Sequence, residues 1–377
     1  MIAVAMTMIE KILARAAGRD HVQVGELVVC EVDMTVLIDL QSATMWASPT
    51  RIADADRLAV IMDHAVPAPT IADADGGVRA RAFVQQHASK RFFDVGRHGI
   101  CHQVIAENGL ARPGEILTCS DSHTCAGGAY NNAARGLGPA EVYSIMCTGK
   151  TWFQIAPTVR YELLGERPAV ITGRDIFLHI AGTYGDATNH NLEFGGDGLA
   201  AVPMSDRRTI ATQGAEISAD FTTFPADERC REFIGAHSDD RAYEPADPDP
   251  DPDARYRGGP RGRPVHARAP GRPPGRGGAQ RAAGLADRAP AGRPVLHRLV
   301  RQRAAGGRAH RRRVARRPPG RPGGPADRHA RVPGVYTEAI RRGYLEAIAE
   351  SGAIVTNSTC GACFGYHMGL LGPARSA

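Results

Sequence analysis

The sequence predicts an α/β protein, with three-layer α/β/α domains and mixed sheets in its first 240 residues. Three short apolar runs have the length of buried strands, and each ends in a cluster of reactive polar side chains: 58–62, 115–119 and 353–356. Helical patterns lie between and after these runs. Because ligands of α/β proteins gather outside the carboxyl ends of parallel strands, the three strand ends also mark the predicted site.

Length and composition indicate a globular protein of two or three domains, since 377 residues and 43% hydrophobic content allow a sizeable core. The eight cysteines are spaced too widely for a disulfide framework, and no secretory signal precedes them, which favours a reducing cytoplasm. No apolar run approaches the roughly 20 residues of a membrane helix. The opening stretch through Ile9, Ile12 and Leu13 predicts an amphipathic surface helix.

The first strand end is the run 58–62, which leads directly into Asp63 and His64. An isolated Asp-His pair at the start of a loop is typical of a helix cap followed by a surface histidine. The alternative is an acid–base pair.

The second strand end is the run 115–119, followed by Asp121, Ser122 and His123. These residues could equally cap the helix predicted at 140–146. Two other residue types suit acid–base chemistry. His102 lies in a predicted helix at 99–109, and Glu216 lies among small residues, where a buried carboxylate needs hydrogen bonds.

The third strand end carries a C-x-x-C loop formed by Cys360 and Cys363. Its thiolates could form a thioredoxin-like pair, half of a zinc site, or part of an iron–sulfur site. A second C-x-x-C, which a structural zinc site would use, is absent from the sequence. The occurrence of all three strand ends in one chain argues against coincidence.

The segment 257–331 differs sharply from the rest of the chain. It holds 21 arginines and two aspartates, although the whole chain has a net charge of only +6, so the remainder is acidic. The segment contains almost no large apolar groups and is therefore predicted to be disordered. Gly, Pro, Arg and Ala have the codons richest in G and C, so out-of-frame reading of a GC-rich gene explains this composition.

Taken together, the motifs resemble the aconitase superfamily, and most closely the large subunits of its two-subunit hydro-lyases: 3-isopropylmalate dehydratase, homoaconitase and methylmalate-type enzymes. The resemblance runs from the first helix to Glu228 and resumes from Tyr336 to Pro373. Its most specific parts are Met62-Asp63-His64, His102-Gln103 with Glu107-Asn108, Asp121 to Thr124, Gly214-Ala215-Glu216, and Cys360 to Gly365. The strand at 160–164, followed by Gly173 and Asp175, also matches.

The resemblance implies reversible dehydration of a hydroxy di- or tricarboxylic acid, in amino-acid biosynthesis, at a [4Fe-4S] cluster held by three cysteines. By resemblance, Asp63 with His64 forms the acid pair near the leaving hydroxyl. His102 is expected to pair with Glu216, and Asp121 with His123. Ser122 would bind substrate, and Cys360 and Cys363 would bind the cluster.

The resemblance also implies a small partner subunit, which supplies a swivelling domain and the base that removes the carbon-bound proton. No membrane or nucleic-acid partner is expected. The domain organisation predicted is an aconitase-like region at 1–240, an out-of-frame segment at 241–333, and a remnant of the cluster-binding domain at 334–377. The chain also stops earlier than the family pattern.

One cluster cysteine is missing, because no cysteine lies between Cys230 and Cys360. A shifted reading of residues 296–303 gives Phe-Ile-Gly-Ser-Cys-Ala-Asn-Gly, which is the family's motif for that ligand, with the cysteine codon across Val300 and Arg301. We therefore expect the chain to be inactive as written. Two alternatives remain: an arginine-rich segment that binds polyanions, and a thiol-redox or zinc protein that uses Cys360 and Cys363.

Overall fold

The computed structural model describes residues 5–40, 49, 51–238, 241–249, 256, 265–268, 334–353, 355 and 358–360. All of these residues belong to one compact unit. The described helices are α1 (Met8–Ala16), α2 (Ile71–His87), α3 (Cys101–Glu107), α4 (Pro139–Thr148), α5 (Gly173–Tyr184), α6 (Met204–Gln213), α7 (Glu228–His237), α8 (Gly334–Arg341) and α9 (Tyr344–Glu350). None of these helices has the length and apolar character that crossing a membrane requires.

The described strands are β1 (Leu27–Glu31), β2 (Met34–Ile38), β3 (Leu58–Ile61), β4 (Arg91–Phe93), β5 (Ile116–Cys119), β6 (Ala133–Gly136), β7 (Lys150–Gln154), β8 (Thr158–Leu164), β9 (Asn191–Gly195), β10 (Thr222–Thr223) and β11 (Val265–Arg268). The predicted α/β class is confirmed, and the predicted strands at 58–62 and 115–119 appear as β3 and β5.

A five-stranded sheet with the order β4-β3-β2-β5-β6 carries the predicted strand ends. All of its pairs are parallel. Ile38 is aligned with Ile61, and Val36 with Cys119, so β3, β2 and β5 end side by side. The prediction of mixed sheets was wrong for the described strands, because only the separate ribbon β1–β7 is antiparallel.

Both faces of this sheet are covered by helices, as the burial of alternate residues requires. Leu37 and Val60 pack on one face against Phe83 of α2 and Val142 of α4. The opposite face belongs to a larger apolar cluster that includes Val104 of α3. These are the three layers that the sequence predicts.

A second sheet has the order β10-β9-β8-β11 and is also parallel. Its β8 and the following α5 match the strand and helix predicted around 160–175. The four residues of β11 lie within the segment predicted to be disordered, and they pair with β8. The rest of 257–331 lies outside the described residues.

Helix α1 begins with a reciprocal capping box between Thr7 and Glu10. Such a box stabilises a helix by about 1 kcal/mol. The predicted amphipathic helix is confirmed: Ile9, Ile12 and Leu13 are at most 1% exposed, whereas Arg15 is exposed. The buried Glu193 carboxylate on β9 accepts the Ile9 N–H at 2.9 Å, so the start of the helix is buried as well.

Candidate active site

Three neighbouring strands deliver carboxylates to one edge of the five-stranded sheet. Asp39 follows β2, Asp63 and His64 follow β3, and Asp121 follows β5. Because the order is β3-β2-β5, all of these side chains lie close together, as the strand-end rule predicts. Asp39 was missed in the sequence, although it follows the apolar run 34–38 and the same rule would have found it.

His64 lies at the centre of the carboxylates, with its side chain 3% exposed. Its Nδ1 is 3.5 Å from Asp63 Oδ2 and 3.7 Å from Asp39 Oδ1, and its Nε2 is 3.4 Å from Asp121 Oδ2. Burial alone would lower the pKa of His64. The Asp121 and Asp39 side chains, with smaller contributions from Cys360 and Asp63, outweigh burial and raise the pKa to about 12.

Asp39 holds the loop in which His64 lies. Its Oδ1 accepts the His64 N–H at 3.0 Å, and its Oδ2 accepts the Ala65 N–H at 2.6 Å. Burial raises the pKa of Asp39, but its bonds to His64 and Ala65 lower it further, so the net direction is downward. His64 is therefore a buried histidine beside carboxylates, and not the surface histidine of the helix-cap alternative.

Asp121 lies between the imidazoles of His64 and His102. His102, in the first turn of α3, donates from Nε2 to Asp121 Oδ1 at 2.7 Å. The backbone N–H of His123 donates to the same oxygen at 2.8 Å. Burial works against the charged carboxylate, but the bonds to His102 and His64 outweigh it and hold the pKa of Asp121 well below its usual range.

The backbone beside Asp121 leaves no room for a side chain. A Cβ added at Gly136, at the end of β6, would lie 2.4 Å from the Asp121 carbonyl oxygen. Strand β6 pairs with β5 through Cys119 and Gly136, so glycine lets the loop after β5 fold across the neighbouring strand.

His123 forms a second, more exposed pair. Its Nε2 donates to Glu216 Oε1 at 3.0 Å, and the two side chains are 34% and 56% exposed. The exposed Ser122 has its Oγ 3.3 Å from His123 Nδ1. The expected pairing of His102 with Glu216 was therefore wrong, because His102 meets Asp121 and Glu216 meets His123. The expected neighbours Asp121 and His123 do lie together, with His123 Nδ1 3.8 Å from Asp121 Oδ1.

Packing explains the partner of Glu216. Glu216 lies on a short 3-10 helix at Gly214–Ile217, directly after α6. Helix α6 packs against the Thr124–Tyr130 turn that follows His123, and this brings Glu216 to His123 rather than to α3. Glu216 is exposed rather than buried, contrary to what its small neighbours suggested.

The cysteine loop reaches the same pocket through Asp63. Asp63 Oδ1 accepts the Cys360 N–H at 3.0 Å, and Asp63 Oδ2 accepts the Cys101 N–H at 2.8 Å. Thr359 Oγ1 donates to the Asp63 carbonyl oxygen. Cys360 thus lies beside Asp63 and His64, whereas Cys363 lies outside the described residues.

Potential metal donors lie at one side of the pocket. Cys101 Sγ is 3.6 Å from His102 Nε2, and one donor atom each from Cys101, His102 and Asp121 lie within 4.8 Å of one another. Burial, followed by a hydrogen bond with Cys119, raises the pKa of the Cys101 thiol well above its ordinary value.

The arrangement suits proton transfer to and from a bound ligand. Carboxylate–imidazole pairs fix the ring orientation and supply groups that hold or release a proton. Here one imidazole is buried, one is nearly buried and one is partly exposed, with side-chain exposures of 3%, 13% and 34% for His64, His102 and His123. This gradient leads from the protein interior to solvent.

Comparison of the sequence with known proteins identifies a family. The family model described as Aconitase family (aconitate hydratase) matches residues 38–255. A 3-isopropylmalate dehydratase large subunit of Mycolicibacterium smegmatis is 57% identical over 98% of this chain and 87% of its own length.

More distant relatives are similar over nearly the whole chain. The 3-isopropylmalate dehydratase large subunit of Clostridium kluyveri is 32% identical over 99% of this chain and 90% of its own length. A probable methanogen homoaconitase large subunit of Methanothermobacter thermautotrophicus is 32% identical over 99% and 88%. The resemblance predicted from the sequence is therefore confirmed, and the chain belongs to the aconitase family.

Proposed function

We propose that this chain is the large subunit of a hydro-lyase that acts on a 2- or 3-hydroxy di- or tricarboxylic acid such as 3-isopropylmalate. The observation that carries the proposal is the convergence of His64, His102 and His123, each beside a carboxylate, at one edge of the five-stranded parallel sheet. The names of the relatives, which are dehydratases and a homoaconitase, support the same reaction class.

In the proposed reaction, His64 is the member of the acid pair that holds the proton for the leaving hydroxyl. Asp63 cannot take this part readily, because both of its oxygens accept backbone N–H groups. Asp39 and Asp121 orient the His64 ring from its two sides. A positioned proton donor of this kind typically accelerates reactions by about 10²–10⁴-fold.

The other two pairs have different tasks in the proposal. Asp121 fixes the His102 ring by a 2.7 Å bond and keeps its Nε2 protonated. His123 and Glu216 lie at the exposed edge of the pocket, where they can exchange protons with solvent. Ser122, beside His123, is exposed and available to bind a substrate carboxylate.

The residues present do not complete the family's iron–sulfur cluster. Cys360 lies in the pocket, and Cys363 follows in the same loop of the sequence, but the cluster expected for the family takes three cysteines. Cys101 also lies in the pocket, but it opens α3, a position to which the family resemblance assigns no cluster ligand. Cys30, Cys119, Cys125 and Cys230 are at most 5% exposed, and Cys147 packs against the apolar cluster of Leu37 and Val60 on the opposite face of the sheet. We therefore propose that the chain, as written, is inactive as a dehydratase.

A small subunit is part of the proposal. The relatives are named large subunits, which supports a partner that completes the enzyme. The partner would supply the swivelling domain and the base that removes the carbon-bound proton. We propose that the two subunits form a soluble, cytoplasmic enzyme that binds a small hydroxy-acid and binds neither a membrane nor nucleic acid.

The test compares the chain as written with a frame-restored chain, in which residues 257–333 are replaced by the shifted translation that contains the third cysteine. Both are reconstituted anaerobically with iron and sulfide and mixed with the small subunit of a relative. Iron and sulfide content, visible absorption and dehydration of 3-isopropylmalate are measured. We expect a cluster and turnover only in the frame-restored chain.

Two results would contradict the proposal in different ways. Equal turnover by the chain as written would show that the missing cysteine is not needed. A frame-restored chain that holds a cluster and dehydrates no hydroxy-acid would refute the hydro-lyase assignment. Resequencing the gene over the codons for residues 250–340 decides separately whether the segment is out of frame.

A further inference from the structure

A second set of donor atoms lies beside the acid–base pairs and does not involve the C-x-x-C loop. Cys101 and His102 open α3, and Asp121 follows β5. Cys101 Sγ is 3.6 Å from His102 Nε2, which is 2.7 Å from Asp121 Oδ1. All three donor atoms lie within 4.8 Å of one another.

The distances fit a tetrahedral ion of small radius. With metal bonds of about 2.3 Å to sulfur and about 2.1 Å to nitrogen, two corners of a tetrahedron lie about 3.6 Å apart. Cys101 Sγ and His102 Nε2 already have this separation. The His102–Asp121 hydrogen bond must open, from 2.7 Å to about 3.4 Å, and a cation between the two atoms would take the place of the proton in that bond.

The donor types select the metal. A thiolate, an imidazole and a carboxylate together suit zinc, whereas calcium and magnesium prefer oxygen donors alone. Three protein ligands leave one tetrahedral position for water or a ligand oxygen, which is the pattern of reactive rather than structural zinc sites. We propose that Cys101 Sγ, His102 Nε2 and Asp121 Oδ1 bind a single zinc ion in this pocket.

A shell of hydrogen bonds already orients the three ligands. Asp63 accepts the Cys101 N–H at 2.8 Å and so fixes the first residue of α3. The His123 N–H donates to Asp121 Oδ1, and His64 Nε2 lies 3.4 Å from Asp121 Oδ2. Outer partners of this kind orient metal ligands and typically raise affinity by about 10–100-fold.

Protons balance in the binding step. Zinc displaces the thiol proton of Cys101, which leaves to solvent, and the ion binds the resulting thiolate. In the metal-free site the His102 ring donates its Nε2 proton to Asp121. On zinc binding that proton leaves to solvent and Nδ1 takes one up from solvent, so the neutral ring binds through the Nε2 lone pair. Asp121 binds as the carboxylate. The site then carries a net charge of zero from a divalent cation and two anionic ligands.

The test uses Co²⁺ in place of Zn²⁺, because tetrahedral cobalt–thiolate sites absorb visibly. The full chain carrying Cys360→Ser and Cys363→Ser is used, so the C-x-x-C loop cannot contribute a thiolate. We expect one cobalt ion per chain, a thiolate-to-cobalt charge-transfer band, and intense ligand-field bands that Zn²⁺ abolishes by displacement. No substrate or partner subunit is needed, so the outcome does not depend on the proposed dehydratase activity.

Two further substitutions assign the ligands. Cys101→Ser in the same background should remove the charge-transfer band, whereas Cys30→Ser, a matched change at another fully buried thiol, should leave it intact. His102→Ala changes a partly accessible side chain and should weaken cobalt binding at least tenfold without unfolding the chain. Absence of bound cobalt in the folded parent, or a band that survives Cys101→Ser, would overturn the proposal, as would unchanged affinity in His102→Ala.

Discussion

Asp63 Oδ1 accepts the backbone N–H of Cys360 at 3.0 Å, across 297 positions of sequence. The other oxygen of the same carboxylate accepts the Cys101 N–H. The Asp63 carboxylate, first interpreted as part of a proton-donating pair, therefore links the cysteine loop to the start of α3 through two hydrogen bonds. Its burial raises the pKa of Asp63, and the bonds from the two backbone amides oppose that rise.

Asp63→Asn should release the cysteine loop without emptying the pocket. The amide keeps one acceptor oxygen and turns its NH₂ towards a backbone N–H, so one of the two bonds is lost at a cost of about 1–3 kcal/mol. Since α3 is held by core packing, we expect faster hydrogen exchange at Cys360 rather than at Cys101, measured by mass spectrometry of peptic fragments.

Asp186→Asn is the matched control. Asp186 also accepts a backbone N–H, that of Thr188 at 2.8 Å, but it is fully exposed and lies far along the chain from the pocket. It should leave exchange at Cys360 unchanged. Equal hydrogen exchange at Cys360 in the wild-type chain and in Asp63→Asn would show that the Asp63 carboxylate does not hold the cysteine loop in place.

Arg207 lies on α6, the helix that leads directly to Glu216. Its guanidinium is 0% exposed and binds both oxygens of Asp227 and the carbonyl oxygens of Leu199 and Val202. Arg207→Ala leaves these groups without their donor, so we expect a loss of about 3–5 kcal/mol in the free energy of unfolding, measured by urea titration. Arg207→Lys keeps the positive charge but not the two parallel N–H donors of the guanidinium, so its loss of unfolding free energy should be smaller than that of Arg207→Ala. A lysine variant as stable as the wild type would contradict this.

The same ion pair predicts a response to acid. Burial works to raise the pKa of Asp227, but the bonds and charge of Arg207 outweigh it, so the pKa lies below its ordinary value. A depressed carboxyl pKa contributes stability that is present above the unfolded pKa of about 3.9 and is lost as the pH falls through the folded value.

The free energy of unfolding of the wild-type chain and of Asp227→Asn should therefore differ by a constant amount near neutral pH. The difference should shrink as the pH falls below about 4. Urea titrations over a series of pH values measure it. A difference that persists undiminished in strong acid would mean that the charge of Asp227 contributes nothing.

Tyr256 directly precedes the arginine-rich segment in the sequence, and its hydroxyl bonds to residues of the second sheet. Its hydroxyl donates to Glu193 Oε2 at 2.8 Å and accepts from Arg160 Nη1 at 3.1 Å. Tyr256→Phe leaves the fully buried Glu193 carboxyl one partner short, and we expect a loss of about 1–3 kcal/mol in chemical denaturation. Tyr184→Phe is the control: it also removes a hydroxyl but keeps the contact between the Tyr184 and Tyr161 rings. It should cost less than half as much free energy of unfolding. Equal losses in the two variants would argue against the Tyr256–Glu193 hydrogen bond.

Strand ends could be predicted from the sequence because they depend on local pattern. Apolar runs that stop at Asp63 and Asp121 needed only the geometry of parallel sheets to be placed together. The partners of the histidines could not be predicted this way. Whether Glu216 meets His102 or His123 depends on how α6 packs against a turn about 80 positions earlier, which no local pattern encodes.

Glu193 shows the same limit. The polar residue at position 193 lies inside strand β9, and only the arrival of α1 and Tyr256 makes its burial possible. The amphipathic pattern of α1 correctly indicated a helix. It could not indicate that a carboxylate from the second sheet would bury the start of that helix.

Glu216→Gln and Asp121→Asn should separate stability from catalysis. The exposed Glu216–His123 pair is expected to contribute less than about 1 kcal/mol to folding. Asp121 holds two imidazoles with its side chain only 11% exposed, so Asp121→Asn should cost about 3 kcal/mol or more. Thermal and urea denaturation of the chain as written measure both values, and Glu232→Gln, at another exposed carboxylate, is the control for Glu216.

In the frame-restored chain with its small subunit, both substitutions should lower kcat by about 10²-fold or more, because each removes the carboxylate that orients a proton-carrying imidazole. Glu216→Gln would then be a folded, slow enzyme, and Asp121→Asn a slow and unstable one. Full turnover in Glu216→Gln would remove His123 from the proposed proton path, since the Glu216 carboxylate is the acceptor that His123 Nε2 contacts.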